Sequence, residues 1–428
     1  MMNVEKIRND FPILKRKIKG KDLVYLDSGA TSQKPESVIK AIDSYYRESN
    51  ANIHRGVYEL SVESTRMVDE SRATIATFLG ARFEEIIFVR NASEALNLVA
   101  YSWGRDNIQK GDAIIVSKLE HHSNLIPWQE LCREKGAELR VIEVTESAEL
   151  NLENGKIEQL EDKGLRVKVG GLRDLIDDKV KLLAITGVSN VMGTITPLQE
   201  IIKEIRKQSL GVKVLVDGAQ MVPHMSVDVK KLGADFLVFS GHKMLGPTGT
   251  GVLWGKKDVL EEMRPFLFGG DMINEVKLTG ASWAGLPNKF EAGTPDIAGI
   301  VGLGAAVEYL KKIGMDNVRQ HEKELLEYAL KRFRELSDEG LVTVYGPENA
   351  EVRGGAIPFN VKGVHAHDTA QILDSFGIAV RSGQHCAGPL VTGFGVMAMA
   401  RVTFYIYNTK TEIDYLIDKI REVPKVFI

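Results

Sequence analysis

Cysteine is almost missing from this chain. Two residues, Cys132 and Cys386, stand among 428, too few for the disulfide framework of a small secreted protein. No apolar run reaches the length needed to span a bilayer, so no membrane role is expected. The first ten residues are charged and lack the apolar core of a signal peptide. Neither charge sign dominates: the formal net charge is -3, which gives no reason to expect nucleic acid or a membrane surface as partner. Low-complexity tracts and internal repeats are absent. A reducing, cytoplasmic setting is the expectation. What remains is ordinary globular composition, 44% hydrophobic and 26% charged, in a chain longer than one core usually serves.

From about residue 86 to 255, short apolar strands alternate with helices, the pattern of an α/β domain with a mostly parallel sheet. Polar clusters recur at the C-terminal ends of these strands, where open α/β sheets place their ligand site. Ile86-Ile87-Phe88-Val89 leads to Asn91-Ala92-Ser93, opening a helix. This is a phosphate site in form or a plain N-cap serine. Ala113–Val116 leads to Glu120-His121-His122-Ser123-Asn124. Adjacent histidines do not converge on one ion, so no metal is expected, and a ring stacked on a flat cofactor fits better. Leu182–Ile185 ends in Gly187-Val188-Ser189-Asn190. Residues 146–178 read as a charged surface excursion closing on a short helix.

Two strand ends matter most. Val214-Leu215-Val216 ends in Asp217-Gly218-Ala219-Gln220, and the run from Ala234 to Phe239 ends in Ser240-Gly241-His242-Lys243. A lone lysine in a loop is usually just a surface lysine. An acid at one strand end and a lysine at another is the layout that pyridoxal 5'-phosphate requires: the acid holds the pyridine nitrogen protonated and the lysine carries the cofactor as a Schiff base. After Trp254 the pattern changes. A hairpin at 275–283 and helices at 297–313 and 316–337 precede a smaller α/β region. There Ile378-Ala379-Val380 runs into Arg381-Ser382-Gly383-Gln384-His385-Cys386. A free cysteine is usually a small buried hydrophobe, but one set among Arg, Gly, Gln and His is a poor candidate for core. Arg381 and His385 flank it and would favour a thiolate. Cys132, in a helical pattern, reads as core. The expected division is 25–295 for the large domain and 296–428, with 1–24, for the small one.

With Asn52-Ile53-His54-Arg55-Gly56, Tyr25-Leu26-Asp27-Ser28 and Phe404–Asn408 added to these motifs, the chain resembles, nearly end to end, the SUF-type (group II) cysteine desulfurases and selenocysteine lyases. These are pyridoxal-phosphate enzymes of the class V aminotransferase fold (fold type I). The Arg-Ser-Gly-Gln-His-Cys run is the most specific part. The resemblance implies that Lys243 is the Schiff-base lysine, Asp217 the pyridine-nitrogen partner, Gln220 the ligand of the ring hydroxyl oxygen, and His121 the stacking ring. It implies that Ser93, Ser240 and His242, with the Ala92 backbone, hold the phosphate, and that Gly293-Thr294 reaches the phosphate of a second subunit in a homodimer. Asn190 and Arg401, with Arg381, His54 and Arg55, would bind the substrate, and Cys386 would accept its sulfur. The implied activity converts L-cysteine to L-alanine, passing sulfur to a persulfide-acceptor protein of the SUF system for iron–sulfur cluster assembly. Selenocysteine lyase, another lyase or transaminase of the same fold, and a silent scaffold in a sulfur-transfer complex are the rival readings. The chain departs from the family at Gly187, where His is usual, at Ala92, where a hydroxyl is common, and in the length of the 146–178 segment.

Overall fold

A computed structural model describes residues 2–208 and 211–427. Its centre is a nine-stranded sheet. From one edge, the strands are Ile86–Val89, Gly251–Gly255, Phe236–Ser240, Lys213–Asp217, Val180–Thr186, Ala113–Ser117, Glu138–Ile142, Leu165–Gly170 and Glu158–Asp162. The run from Phe236–Ser240 through Leu165–Gly170 is parallel throughout. Gly251–Gly255 and Glu158–Asp162 pair antiparallel with their neighbours.

Alternation along the central strands explains why both faces are covered. In Phe236–Ser240, Phe236 and Val238 enter one apolar core while Leu237 and Phe239 enter the other; Leu215 and its neighbours Val214 and Val216 divide in the same way. Strands buried on both sides need apolar residues at successive positions, which is how these read.

The 146–178 segment corrects the sequence reading. It is not only a surface excursion: Leu165–Gly170 and Glu158–Asp162 extend the central sheet by two strands. Glu158–Asp162 is exposed along its whole length, so it carries no hydrophobic alternation to betray it. Its partner supplies the pairing, and its acidic side chains blunt the free edge.

A four-stranded antiparallel sheet, in the order Val342–Val344, Ala356–Val361, Met399–Thr403, Arg381–Gly383, carries a core of its own. Val24–Tyr25 joins this region by pairing in parallel with Ile378–Ala379, while Ile7 and Phe11 pack in the core of the large sheet. The last helix, Lys410–Ile420, opens with the expected capping box of Thr409 and Glu412. Helix Ile297–Ile313 instead belongs with the large sheet, packed on helices Glu36–Ser44 and Glu59–Leu79. The approach is close because of glycine: a Cβ on Gly304 would lie 2.6 Å from Ser71 Oγ.

Candidate active site

The carboxyl ends of Lys213–Asp217 and Phe236–Ser240 open into a cavity of about 430 Å³. Ala92, Ser93, His121, Asn190, Asp217, Gln220, Ser240, His242, Lys243, Arg381, Cys386 and Arg401 all line it. Neighbouring parallel strands end at one level, so residues far apart in sequence meet there.

Asp217 is buried, and its Oδ1 accepts the Ala219 N–H at 2.9 Å. Burial raises its pKa, while the Ala219 hydrogen bond and the Lys243 charge oppose the rise. Burial likewise lowers the pKa of Lys243, against the pull of Asp217. Lys243 Nζ has no hydrogen bond or ion pair to a described residue. A buried carboxylate short of a cation and a partnerless amine in one cavity fit a ligand carrying a ring cation and a carbonyl carbon.

At the other end of the cavity, hydroxyls gather at a helix start. Asn91 caps helix Ala92–Val99 by accepting the Glu94 N–H at 3.0 Å. Ser93 Oγ lies 2.6 Å from Ser123 Oγ, and Ser240 Oγ accepts the Ala92 N–H at 2.9 Å. His242 is pushed down to about 4 by burial and by the charges of Lys243 and Lys34, so its ring is neutral. Hydroxyls grouped at a helix start suit an anion.

His121 faces the same space. Its Nδ1 accepts the Ser123 N–H at 3.1 Å, which leaves the ring proton on Nε2. Burial, then the Lys243 charge, pushes its pKa to about 3, so the ring is a neutral plate. Gln220 Nε2 donates to the Gly29 carbonyl at 2.6 Å.

Opposite, Arg401 is buried. It donates from Nη1 to the Asn190 carbonyl at 2.7 Å and from Nη2 to Asp27 Oδ1 at 2.9 Å. Arg401 Nε and Asn190 Oδ1 are buried without hydrogen-bond partners. Unsatisfied buried polar atoms cost about 1–3 kcal/mol each, so a bound carboxylate and amine would relieve this site. Arg381 and Cys386 stand at the cavity's exposed rim.

Two expectations change. His385 does not supply a cation beside Cys386. It is buried, its Nε2 meets the Met399 carbonyl at 2.9 Å, and burial and Arg401 push its pKa to about 3. His54 and Arg55 do not line this cavity within one chain, and Thr294, expected to reach a second subunit, lies near them. They form a separate cluster, where Arg55 pairs with Asp271 at 3.1 Å and Thr294 Oγ1 donates to Asn52 Oδ1 at 3.2 Å. Gly187 leaves no gap, because a Cβ there would lie 2.4 Å from Met221 Sδ. The methionine fills that volume, and Asn190 keeps its pose through its bond to the His385 carbonyl, 2.7 Å.

Sequence reasoning did not single out the roles of Asp27 and Glu120. Asp27 was visible only as part of a turn. Glu120 Oε1 accepts from Ser117 Oγ at 2.5 Å and Thr186 N at 3.0 Å; Oε2 accepts from Asn124 Nδ2 at 2.6 Å. Burial pushes its pKa from 4.5 up to about 8. The folded protein therefore holds a proton that the unfolded chain releases above its own pKa. This stabilising contribution is complete below about pH 4.5 and is lost as pH rises toward about 8. Glu120→Gln should remove that slope, so that the variant gains stability relative to the parent between pH ~5 and ~8, by a few kcal/mol at about 1.4 kcal/mol per pKa unit. Urea unfolding at both pH values checks this; parallel curves would contradict it.

A doubly covered α/β sheet with lysine, aspartate and an anion cradle at its strand ends defines an enzyme of the class that works on a carbonyl cofactor. Residues 24–416 match the aminotransferase class-V family, and the chain belongs to it. A protein of Halalkalibacterium halodurans described as a probable cysteine desulfurase is 48% identical over 427 residues, covering 100% of this chain and 99% of the relative. The apo structure of a cysteine desulfurase from Thermococcus onnurineus NA1 superposes with a TM-score of 0.90 at 38% identity, covering 100% of this chain and 99% of that one. An Escherichia coli cysteine desulfurase, solved as an S-sulfonic acid, gives 0.86 at 33% identity, with 100% and 99% covered. The fold is that of these cysteine desulfurase structures.

Proposed function

We infer that this chain is a pyridoxal-phosphate-dependent cysteine desulfurase, converting L-cysteine to L-alanine and leaving the sulfur as a Cys386 persulfide. The observation that carries the reading is one cavity holding Lys243, Asp217, Arg401 and Cys386 together. Full-length similarity to cysteine desulfurases supports it. Bound pyridoxal phosphate supplies a sink for the electrons released at the substrate Cα.

The chain's own residues do the rest. Asp217 keeps the proton on the ring nitrogen. Ser93, Ser240 and His242 would hold the phosphate, with the Ala92 N–H orienting the Ser240 hydroxyl, His121 would cover the ring, and Gln220 would meet its hydroxyl oxygen. Arg401 and Asn190, with Arg381 at the rim, bind the substrate carboxylate. Lys243, whose pKa burial lowers, takes the Cα proton as a neutral amine and returns a proton on the way to alanine. Cys386 Sγ attacks the substrate sulfur. The Cβ–S bond breaks, an S–S bond forms, and Cβ takes up a proton, so cysteine plus thiol balances alanine plus persulfide.

The same proposal includes a homodimer, a persulfide acceptor of the SUF type serving iron–sulfur cluster assembly, and a cytoplasmic setting. No helix among the described residues is long and apolar enough to cross a membrane. The homodimer draws support from the His54–Arg55–Thr294 cluster. Arg55 is tied to Asp271, and Gly293 N–H donates to the Gly270 carbonyl at 3.0 Å. Beside these residues Val57, Tyr58, Val62 and Phe268 are exposed. Such a surface suits a second copy, to whose cavity Thr294, His54 and Arg55 would then contribute. The division at 25–295 and 296–428 with 1–24 is likewise proposed. Its support is the separate core of the four-stranded sheet, although helix Ile297–Ile313 rides on the large body.

The test is the absorbance spectrum of the purified protein, followed by alanine and sulfide assays with cysteine and, in parallel, selenocysteine. A colourless protein, or one that forms no alanine, would overturn the reading; preference for selenocysteine would make it a lyase. Asp217→Asn should fold and lose activity by about tenfold to a hundredfold, the worth of a charge-assisted hydrogen bond of roughly 1.5–3 kcal/mol. An unchanged rate would show that another group holds the ring proton.

A further inference from the structure

His122 has no place in the chemistry above, yet it touches the Cys386 loop at two points. Its backbone N–H donates to the Cys386 carbonyl at 2.7 Å. Its ring Nε2 accepts the Gly388 N–H at 2.9 Å. The fit is close, since a Cβ on Gly388 would lie 3.4 Å from His122 Nε2 and 3.0 Å from Gln384 Oε1.

The loop needs holding. His385 and Cys386 both lie at positive φ, 52° and 56°, a region that side-chain-bearing residues occupy only when the surroundings enforce it. Asn190 anchors the His385 carbonyl and Met399 anchors the His385 ring. Both of those contacts act on residue 385. Beyond Cys386, burial of Ala387, Leu390 and Val391 in the core holds the chain, and His122 makes the side-chain and backbone hydrogen bonds that tie residues 386 and 388 to the strand-end turn.

The turn carrying His122 is itself fixed. Glu120 ties it to Ser117 and Thr186 at two strand ends, and Asn124 Oδ1 accepts the Trp128 indole N–H at 3.0 Å. His121 looks into the cavity from this turn while His122 holds the loop. The plate over the cofactor and the sulfur acceptor are thus mounted on one rigid pentapeptide.

We propose that His122 is a positioning residue that sets the register of Cys386 against the cofactor cavity. It acts through the loop and not on the substrate. The Gly388 bond requires the neutral ring with Nε2 bare and the proton on Nδ1. The proposal rests on Cys386 being the carrier, so its test includes measurements that do not depend on sulfur transfer.

Three proteins are compared: the parent, His122→Leu, which keeps bulk but offers no acceptor, and His122→Gln, whose Oε1 can take the Gly388 N–H. In cofactor-free protein, amide exchange over residues 386–390 should quicken about tenfold or more in the leucine variant, as a protecting bond is lost, and recover in the glutamine variant. With cofactor and one turnover of cysteine, the mass gain at Cys386 should slow by ~10- to 100-fold in the leucine variant, the effect of a misplacement on the order of 1 Å. The cysteine-induced absorbance change should stay at the parental rate, and glutamine should restore the mass gain. Parental sulfur transfer in the leucine variant overturns the proposal. So does an absorbance change that slows in step, or glutamine that folds but does not rescue. If the leucine variant does not fold, selective ¹⁵N-histidine spectra of the parent decide, because a protonated Nε2 on His122 overturns the latch. Sulfur found elsewhere than Cys386 in the parent would sink the carrier assignment, while exchange and tautomer still judge the grip.

Discussion

Cys386→Ser is expected to bind cysteine, give the same cysteine-induced absorbance change as the parent, and release sulfide about a thousandfold more slowly. The size follows from the chemistry removed. A hydroxyl at this rim is mostly un-ionised at neutral pH and has no affinity for divalent sulfur, whereas a thiolate is the competent nucleophile. Losing such a group costs on the order of the 10²–10⁴-fold seen for positioned catalytic groups. Cys386 lines the cavity and is also exposed, so a persulfide made there can be offered outward. Turnover should therefore be slow alone and faster with a thiol reductant or an acceptor protein. Intact-mass measurement after brief exposure to cysteine without reductant should show a gain of about one sulfur, at Cys386 only. Cys132 is no competitor by position: it is buried, and burial and then Glu138 push its pKa up to about 12. Sulfur mapped to Cys132, or sulfide released as fast by the serine variant, would overturn the mechanism.

Lys243→Ala should abolish alanine formation to within detection, a loss of about 10²–10⁴-fold for the proton transfers alone and more because the covalent attachment goes as well. Borohydride reduction of the parent, followed by peptide mapping, should place the label on Lys243, and the alanine variant should take none. The expectation rests on two features. The Nζ has no competing partner among the described residues, and burial lowers its pKa so that a neutral amine is accessible. A label on another lysine would sink the assignment. Lys34 is the instructive control. It too is lowered by burial, to about 8, but it is engaged with the His242 carbonyl at 3.1 Å and does not line the cavity.

Much of this arrangement is legible in local sequence because strand ends announce themselves. A short apolar run followed by small polar residues identified the turns bearing Asp217, Lys243, His121 and Asn190, and the burial of these strands on both faces explains why the runs are continuous. The exposed strand Glu158–Asp162 was illegible for the opposite reason, since a strand without a buried face leaves no pattern to read. The role of His385 was misjudged because neighbours in sequence need not face the same way. Its positive φ turns the ring to Met399 instead of toward Cys386.

The sequence alone determined the fold class, and it singled out Lys243 and Asp217 at strand ends and the one cysteine set in polar surroundings. Those are properties of short segments, whose chemistry and periodicity are local. Only the tertiary structure decided which of these residues share a cavity. It left His54, Arg55 and Thr294 outside that cavity, filled the space beside Gly187 with Met221, and buried Glu120 where its proton is held. Convergence, burial and orientation depend on contacts between residues tens to hundreds of positions apart, and such contacts exist only once parallel strands have been laid side by side.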